Sequence, residues 1–306
     1  ISLFDRRLNF TFDVYLKKTT DLVLDASRAP STGTTSAKEN IGEMENKGLE
    51  FQVDGMLVQR NDFYWQVAAT GSMNRNRILK INSALKKANE DANKVDSKTP
   101  LAQYEEGEST SALKVVKSAG IDPATGQEVF IKLNGERTFE YSADDKFVIG
   151  DTEPKFRGTV STNLFYKGFS LYLLGRYECG AYLYNTTRAT KVEGADPKKN
   201  ADKRVFSSRW KNPGDIAFYK DIADSEGWGA NPKHTDRFVE KENVFTLGTV
   251  NFGYEFRPNI CSKIGVRNLR VGVNLTDIVR WSNVKIERGT TYLYSNGFEF
   301  TLSTTF

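Results

Sequence analysis

Leu8, Phe10, Phe12, Val14 and Leu16 alternate along the chain with Asn9, Thr11, Asp13, Tyr15 and Lys17. Successive side chains of a strand point to opposite faces, so this stretch makes a strand with one oily and one polar side. The pattern returns at Leu49, Phe51, Val53, Gly55 and Leu57, and again at Phe63, Trp65, Val67 and Ala69, with only the polar turn Gln59 to Asp62 between the two. That pair reads as a hairpin. Further strands are read at Phe156 to Tyr166, Phe169 to Glu178, Asn243 to Phe256, Asn268 to Thr276 and Thr291 to Phe306. The fold class is all-β, with about eight amphipathic strands.

The connections alternate in length. Short turns at Gln59 to Asp62, Lys167 to Gly168 and Arg257 to Arg267 are interleaved with long segments at Lys18 to Lys47, Ile78 to Lys155, Cys179 to Glu242 and Asp277 to Thr290. This asymmetry suits a transmembrane antiparallel β-barrel with tight turns at one rim and long extracellular loops at the other. Most of the strands reach the roughly 9 to 11 residues that a tilted strand needs to cross a bilayer. The charged residues Asp13, Glu50, Asp54, Arg270 and Glu299 all fall on the polar phase and are expected to point inward. Within the long segments, Leu79 to Val95 has the apolar spacing of a short amphipathic helix and equally reads as a solvated loop with a helical turn. Ile121 to Gly135 reads as a turn, a short strand and another turn, hence a small hairpin.

Composition removes other classes. No apolar run approaches the roughly 18 to 20 residues of a membrane-spanning helix, and the mean hydropathy is −0.51. A β-barrel survives this test because its strands are apolar on one face only. The net charge of +4, from 43 basic and 39 acidic residues, is small and scattered, and no nucleic-acid partner is expected. Phe, Tyr and Trp make up 12% of the chain, which fits strands and interfacial girdles. Cys179 and Cys261 lie far apart along the chain and lack metal-ligand spacing. Ile1 to Phe12 carry no leader signature, which leaves a cytoplasmic protein or the later part of a longer chain.

Several stretches then point to a family. They are Phe12 to Leu24 (FDVYLKKTTDLVL), Asn46 to Gly55, Gly120 to Phe130 (GIDPATGQEVF), Gly150 to Leu171, Arg209 to Asp215 (RWKNPGD), and the close from NLRVGVNLTDI to STTF. In order and spacing the chain resembles the C-terminal part of SusC/RagA-like TonB-dependent transporters of the Gram-negative outer membrane. The resemblance implies that residues 1–306 supply about the last eight strands of a barrel of roughly 22 strands, with the plug domain and earlier strands in sequence outside this chain. An eight-strand barrel closing on itself is the structural alternative. The resemblance further implies an active importer of a large nutrient, a glycan or an oligopeptide. It would be energised by the TonB complex through the N-terminal part and would work with a SusD-like surface lipoprotein as lid. Contacts with that lid are expected from Ile78 to Lys155 and Cys179 to Glu242. The terminal Phe306 resembles the signal read by the barrel-assembly machinery.

Candidate sites follow from residue type and place. Trp210, Tyr219, Trp228 and Trp281, with Tyr292 and Tyr294, offer aromatic faces that stack on sugars or peptide side chains. A membrane-interface girdle is the competing role for Tyr292, Tyr294 and Trp281. Arg176, Glu178, Arg270 and Asn274 are expected to line the lumen against plug or substrate. An enzyme is not expected: the only histidine, His234, lies in a polar stretch with Asp236 nearby but no nucleophile motif, and reads as a solvated loop residue. No cofactor is expected, although Asp221, Asp224 and Glu226 leave room for structural calcium. The rival from a different class is a soluble carbohydrate-binding or adhesive β-domain, in which the same alternation would face a shared core.

Overall fold

The computed structural model describes residues 1–27, 36–196, 198–222, 231–285 and 295–306. In chain order the elements are β1 (Ser2–Leu3), β2 (Leu8–Ser27), β3 (Ser36–Arg60), β4 (Phe63–Ile81), α1 (Ser83–Lys94), β5 (Ala112–Ile121), β6 (Glu128–Ile131), β7 (Arg137–Thr138) and β8 (Lys146–Asp151). Then come β9 (Phe156–Tyr166), β10 (Phe169–Tyr184), β11 (Val239–Glu255), α2 (Pro258–Lys263), β12 (Asn268–Ser282) and β13 (Gly297–Thr305).

Eight long strands and the two-residue β1 form one antiparallel sheet in the order β1-β2-β3-β4-β9-β10-β11-β12-β13. Each long strand pairs with its sequence neighbour, apart from the insertion between β4 and β9. The strand number expected from the alternation is therefore observed. β1 and β13 are the two edges and do not pair, so the sheet does not close on itself. The fold is that of a section of transmembrane barrel wall.

The strands run further than expected at one end. Lys18 to Lys47, read as a long connection, instead continues the β2–β3 ladder through Lys18↔Glu45 to Ser27↔Ser36. Likewise β10 runs on to Tyr184, β11 starts at Val239 and β12 reaches Ser282. Where both faces meet water the apolar alternation disappears, yet backbone pairing persists. At the other end the connections stay tight, with Asn61 and Asp62 between β3 and β4, and Lys167 and Gly168 between β9 and β10. The third, Arg257 to Arg267, holds α2, which opens on Pro258 and buries Cys261. The expected last strand is shorter than read: Gly297–Thr305 is strand, and Thr291 to Tyr294 lie outside the described residues.

The two largest insertions are not separate solvated loops. In the first, α1 forms, capped by Asn82, whose Oδ1 accepts from the Leu85 amide at 2.9 Å. A second sheet follows, ordered β7-β6-β5-β8, and contains the small hairpin expected near Ile121. Its central strand buries Leu113 and Val115 against Tyr184 at the end of β10 and against Ala189, Val192, Tyr219 and Phe238 from the second insertion. The insertions after β4 and β10 thus share one hydrophobic core and make a single lobe at the long-loop end of the wall.

Candidate functional site

The register of the wall sorts its side chains into two faces. On one, Phe12, Phe51, Gly71, Gly158, Tyr177, Phe245 and Trp281 lie in one row across seven strands. Phe51 and Phe156 ring centroids are 6.3 Å apart, Phe156 and Tyr177 5.3 Å, and Phe245 and Trp281 5.7 Å. The glycines exist for these rings: a Cβ on Gly71 would lie 2.4 Å from Phe51. A Cβ on Gly158 would lie 2.5 Å from the Tyr177 hydroxyl, which crosses β9 to donate to the Thr70 carbonyl at 2.7 Å.

A second aromatic row, Phe63, Tyr166, Phe169 and Tyr254, crosses the same face near the tight turns. Tyr254 packs on Phe169 at 4.5 Å and on Phe256 at 4.9 Å. Between the rows the face is apolar, including Val67, Leu164, Leu171, Leu173, Val250 and Leu275. Phe169 and Tyr177 are eight residues apart on β10, roughly 26 Å of strand, or about 20 Å of height at a barrel tilt near 40°. That is close to the thickness of an outer-membrane apolar band. Among the described residues no second layer covers this face: Phe12, Val14 and Leu16 are 53, 72 and 65% exposed.

The opposite face is polar along its length. Thr11, Gln52, Thr70, Thr159, Arg176, Thr246 and Arg280 form one row, and Gln66, Asn163, Tyr172, Asn251, Asn274 and Glu299 another. Asp13, Glu50, Asp54, Arg270 and Glu299, expected inward, all share it. So do the four residues assigned to the lumen. Arg176 reaches Asp277 at 3.5 Å, Glu178 pairs in register with Arg157, Arg270 pairs with Glu255, and Asn274 donates to Glu299 at 3.3 Å.

Where this polar face meets the lobe a cleft of about 1240 Å³ opens. Tyr15 Oη donates to Asn74 Oδ1 at 3.3 Å, and Asn74 Nδ2 donates to Asn46 Oδ1 at 3.4 Å. Asn76 Oδ1 accepts from the Thr110 amide at 2.6 Å and the Ser109 hydroxyl at 3.0 Å, which ties the lobe to β4. Ser111 donates to Asp151 at 3.2 Å, and Arg157 reaches Glu153 at 3.5 Å. Amides, hydroxyls, carboxylates and a guanidinium in one cleft can bind hydroxyl-rich or amide-rich solutes without transforming them.

The lobe above is held by two motifs that dock on each other. In Asp122–Gly126 the Asp122 carboxylate accepts from the amides of Ala124 and Thr125 and from the Thr125 hydroxyl at 3.4, 3.2 and 2.7 Å. The turn closes at Gly126, φ +74°, where a Cβ would lie 2.6 Å from the Trp210 ring. Trp210 Nε1 donates to the Pro123 carbonyl at 2.9 Å. Next to it the Arg209 guanidinium donates to the carbonyls of Val205, Lys220, Val192 and Glu193.

Deeper in, Arg237 sits between Glu128 and Glu193, at 2.6 and 2.8 Å. All three side chains are under a tenth exposed, and Arg237 also donates to the Phe218 carbonyl at 2.6 Å. The two carboxylates hold the Arg237 guanidinium well above its ordinary pKa against the opposing effect of burial. Neither this triad nor the Arg209 clamp stands out in the sequence, because each joins segments far apart along the chain.

Several site residues take places other than those expected. Trp210 and Tyr219, expected to display aromatic faces, are 8 and 5% exposed and belong to the lobe interior. Trp210 is flanked by Arg209 and Lys211, but the Arg209 clamp and the bond to Pro123 draw it inward, and Tyr219 packs with its neighbour Phe218 at 4.9 Å. Trp281, read as a loop residue, is on β12 in the upper aromatic row of the apolar face, stacked on Phe245. Trp228, Tyr292, Tyr294, Asp224 and Glu226 lie outside the described residues. Phe306 follows the end of β13 and is 80% exposed.

His234 is not a solvated loop residue. It is 8% exposed, packs edge-on against Tyr184 at 5.5 Å, and its Nε2 lies 3.1 Å from the Ser97 carbonyl. The bridge of the next residue, Thr235, to Val116 of β5 carries it into the lobe. Burial pushes its pKa down to about 4, assisted by the Lys146 charge. The ring is therefore neutral near neutrality, with Nε2 as the donor to the carbonyl. Asp236 instead accepts from the Ser118 amide at 2.9 Å, and burial raises its pKa.

No family model matches the chain. Among curated proteins it is similar to TonB-dependent receptor P3 of Formosa agariphila, 26% identical over 298 residues, covering 92% of this chain and 29% of that protein. It is also similar to TonB-dependent receptor SusC of Bacteroides thetaiotaomicron, 32% identical over 77 residues, covering 24% of this chain and 8% of that protein. Among solved structures it superposes on the RagAB peptide importer in its open-open state with a TM-score of 0.76 at 19% identity, covering 100% of this chain and 33% of that one. A second structure of the RagAB peptide transporter gives 0.74 at 20% identity, over 92% and 31% of the two chains. The chain spans a third or less of the length of these relatives.

Proposed function

We propose, from the likeness to TonB-dependent receptor P3 in sequence and to the RagAB peptide importer in fold, that this chain forms wall and loops of an outer-membrane nutrient importer and supplies the C-terminal part of its barrel. The observation that carries this reading is the two-faced wall: an uncovered apolar face between two aromatic belts, backed by a polar face that runs into a cleft. Exposed Phe298, Phe300 and Leu302, at 71, 64 and 64%, count against a soluble carbohydrate-binding or adhesive β-domain, which would enclose them. In this orientation the tight turns face the periplasm, the lobe faces outward, and the polar rows face the lumen.

The wall performs no covalent chemistry. Substrate enters under the lobe and is held by hydrogen bonds in the cleft around Tyr15, Asn74, Asp151 and Arg157. A plug supplied by the rest of the protein, pulled through TonB, then opens the path. Glycans and oligopeptides both suit the donors and acceptors of the cleft, and the fold relatives named as peptide importers favour an oligopeptide. A SusD-like lipoprotein would close over the lobe, whose rigid core gives a lid a fixed surface to meet.

The test is uptake of fluorescent oligopeptides and oligosaccharides by cells carrying the full-length protein with Asn74→Ala and Arg157→Ala. Uptake of one class is expected to fall at least fivefold, with barrel assembly, read by heat-modifiable gel mobility, unchanged. Unaltered uptake of both classes in cells lacking the whole protein would overturn the importer reading.

A further inference from the structure

The outward face changes character abruptly above the upper aromatic belt. On β2, β3 and β4 the register places Val14, Leu49 and Met73 in one row, Leu16, Lys47 and Arg75 in the next, then Lys18, Glu45 and Arg77, and finally Glu43 with Lys80. Within a few residue steps an apolar surface gives way to the cations Lys18, Lys47, Arg75, Arg77 and Lys80, set against Glu43 and Glu45. Lys18 meets Glu43 at 2.9 Å and Lys47 meets Glu45 at 2.8 Å, yet the two lysine side chains stay 55 and 63% exposed. Arg75 and Arg77 are exposed and have no ion-pair partner among the described residues.

We propose that this patch binds the phosphate groups of an anionic glycolipid of the outer leaflet, whose acyl chains lie against Val14, Leu49, Met73 and the aromatic belt. The order of the two surfaces selects the ligand class. Cations directly above a continuous apolar face match a molecule with phosphates directly above acyl chains, and a guanidinium pairs two phosphate oxygens at once. A protein partner would leave the apolar rows without cover. Five cations cluster on β2, β3 and β4; on the adjoining strands the row level with Val14, Leu49 and Met73 carries Phe156, Cys179 and Asn243, and two residues beyond Asn243 the exposed Lys241 of β11 faces the same way.

The inference rests on the outward orientation proposed above, and its test separates the two. The full-length protein is purified in mild detergent, and retained lipid is read by native mass spectrometry. Wild type is expected to retain phosphorylated glycolipid, the Lys47→Gln/Arg75→Gln variant at least fivefold less, and a Lys263→Gln control at the tight-turn end as much as wild type. Delipidated protein is then offered the glycolipid, the same glycolipid after phosphatase treatment, and phosphatidylglycerol, and the first is expected to bind best. Equal retention by the double variant, or equal binding of all three lipids, overturns the patch. Orientation is read independently by labelling Lys211→Cys on intact cells with a membrane-impermeant maleimide, above the background of the unsubstituted protein. Absence of that label overturns the orientation and the proposal with it, whereas labelling with unchanged lipid retention overturns the patch alone.

Discussion

The Trp210 indole nitrogen donates to the carbonyl oxygen of Pro123 at 2.9 Å, across 87 positions of sequence. This bond joins the Arg209–Asp215 motif to the Asp122–Gly126 turn, and Gly126 leaves the space in which the indole ring lies. The two motifs are a lock within the lobe, and the aromatic side chain is part of its interior.

Trp210→Ala should therefore loosen the lobe without disturbing the wall. Truncating a buried Trp costs about 3 to 5 kcal/mol. Trypsin is expected to cut the lobe at least tenfold faster, with heat-modifiable mobility of the barrel retained. Gly126→Ala should act in the same direction, since its Cβ would meet the ring and its φ of +74° is strained for alanine.

Arg237→Met leaves Glu128 and Glu193 buried without their cation, at a cost of about 3 to 5 kcal/mol. Adding Glu128→Gln and Glu193→Gln should restore much of that loss, because neutral amides need no counter-charge. Failure of the triple variant to recover protease resistance would show that the guanidinium matters through its bond to the Phe218 carbonyl instead.

Acid should weaken the lobe through His234. Its pKa lies near 4 in the folded protein against 6.5 ordinarily, so folding favours the neutral ring. Above the ordinary value both states are neutral and pH has no effect. Between the two values the unfolded chain takes up a proton that the folded lobe excludes, and stability falls as pH falls, by roughly 2 kcal/mol at about pH 5. Asp236, raised by burial, acts in the opposite sense. Hydrogen exchange of β5 amides, corrected for intrinsic rate, should accelerate on going from about pH 7 to about pH 5, and His234→Gln should flatten that response.

Neighbouring residues on β10 test the two faces of the wall. Leu173 pairs with Thr162 and Val250 on the apolar face, midway between the aromatic rows, whereas Tyr172 pairs with Asn163 and Asn251 on the polar face. Leu173→Arg should cost about 2 to 4 kcal/mol in a bilayer and lower the yield of assembled barrel. Tyr172→Arg should assemble normally. Equal assembly of both variants would count against lipid on the Leu173 side.

The eight long strands and the identity of their lipid and lumen faces were legible in the sequence because two different solvents impose opposite chemistry on successive residues. Phe10 beside Asn9, or Phe300 beside Glu299, records a local constraint that needs no knowledge of the rest of the chain. The same reasoning explains why the ends of the strands were missed: beyond the belts both faces of Lys17 and Lys18 meet water, and the alternation stops while the ladder continues. Only the tertiary structure decided the lobe. Val115 meets Phe238, Arg237 meets Glu128, and Trp210 meets Pro123 through contacts between two insertions that the strands β9 and β10 bring side by side. Such contacts select partners by shape and charge at a distance along the chain, so they leave no periodic mark on either segment, and a buried Trp210 or His234 looks in sequence like an exposed one.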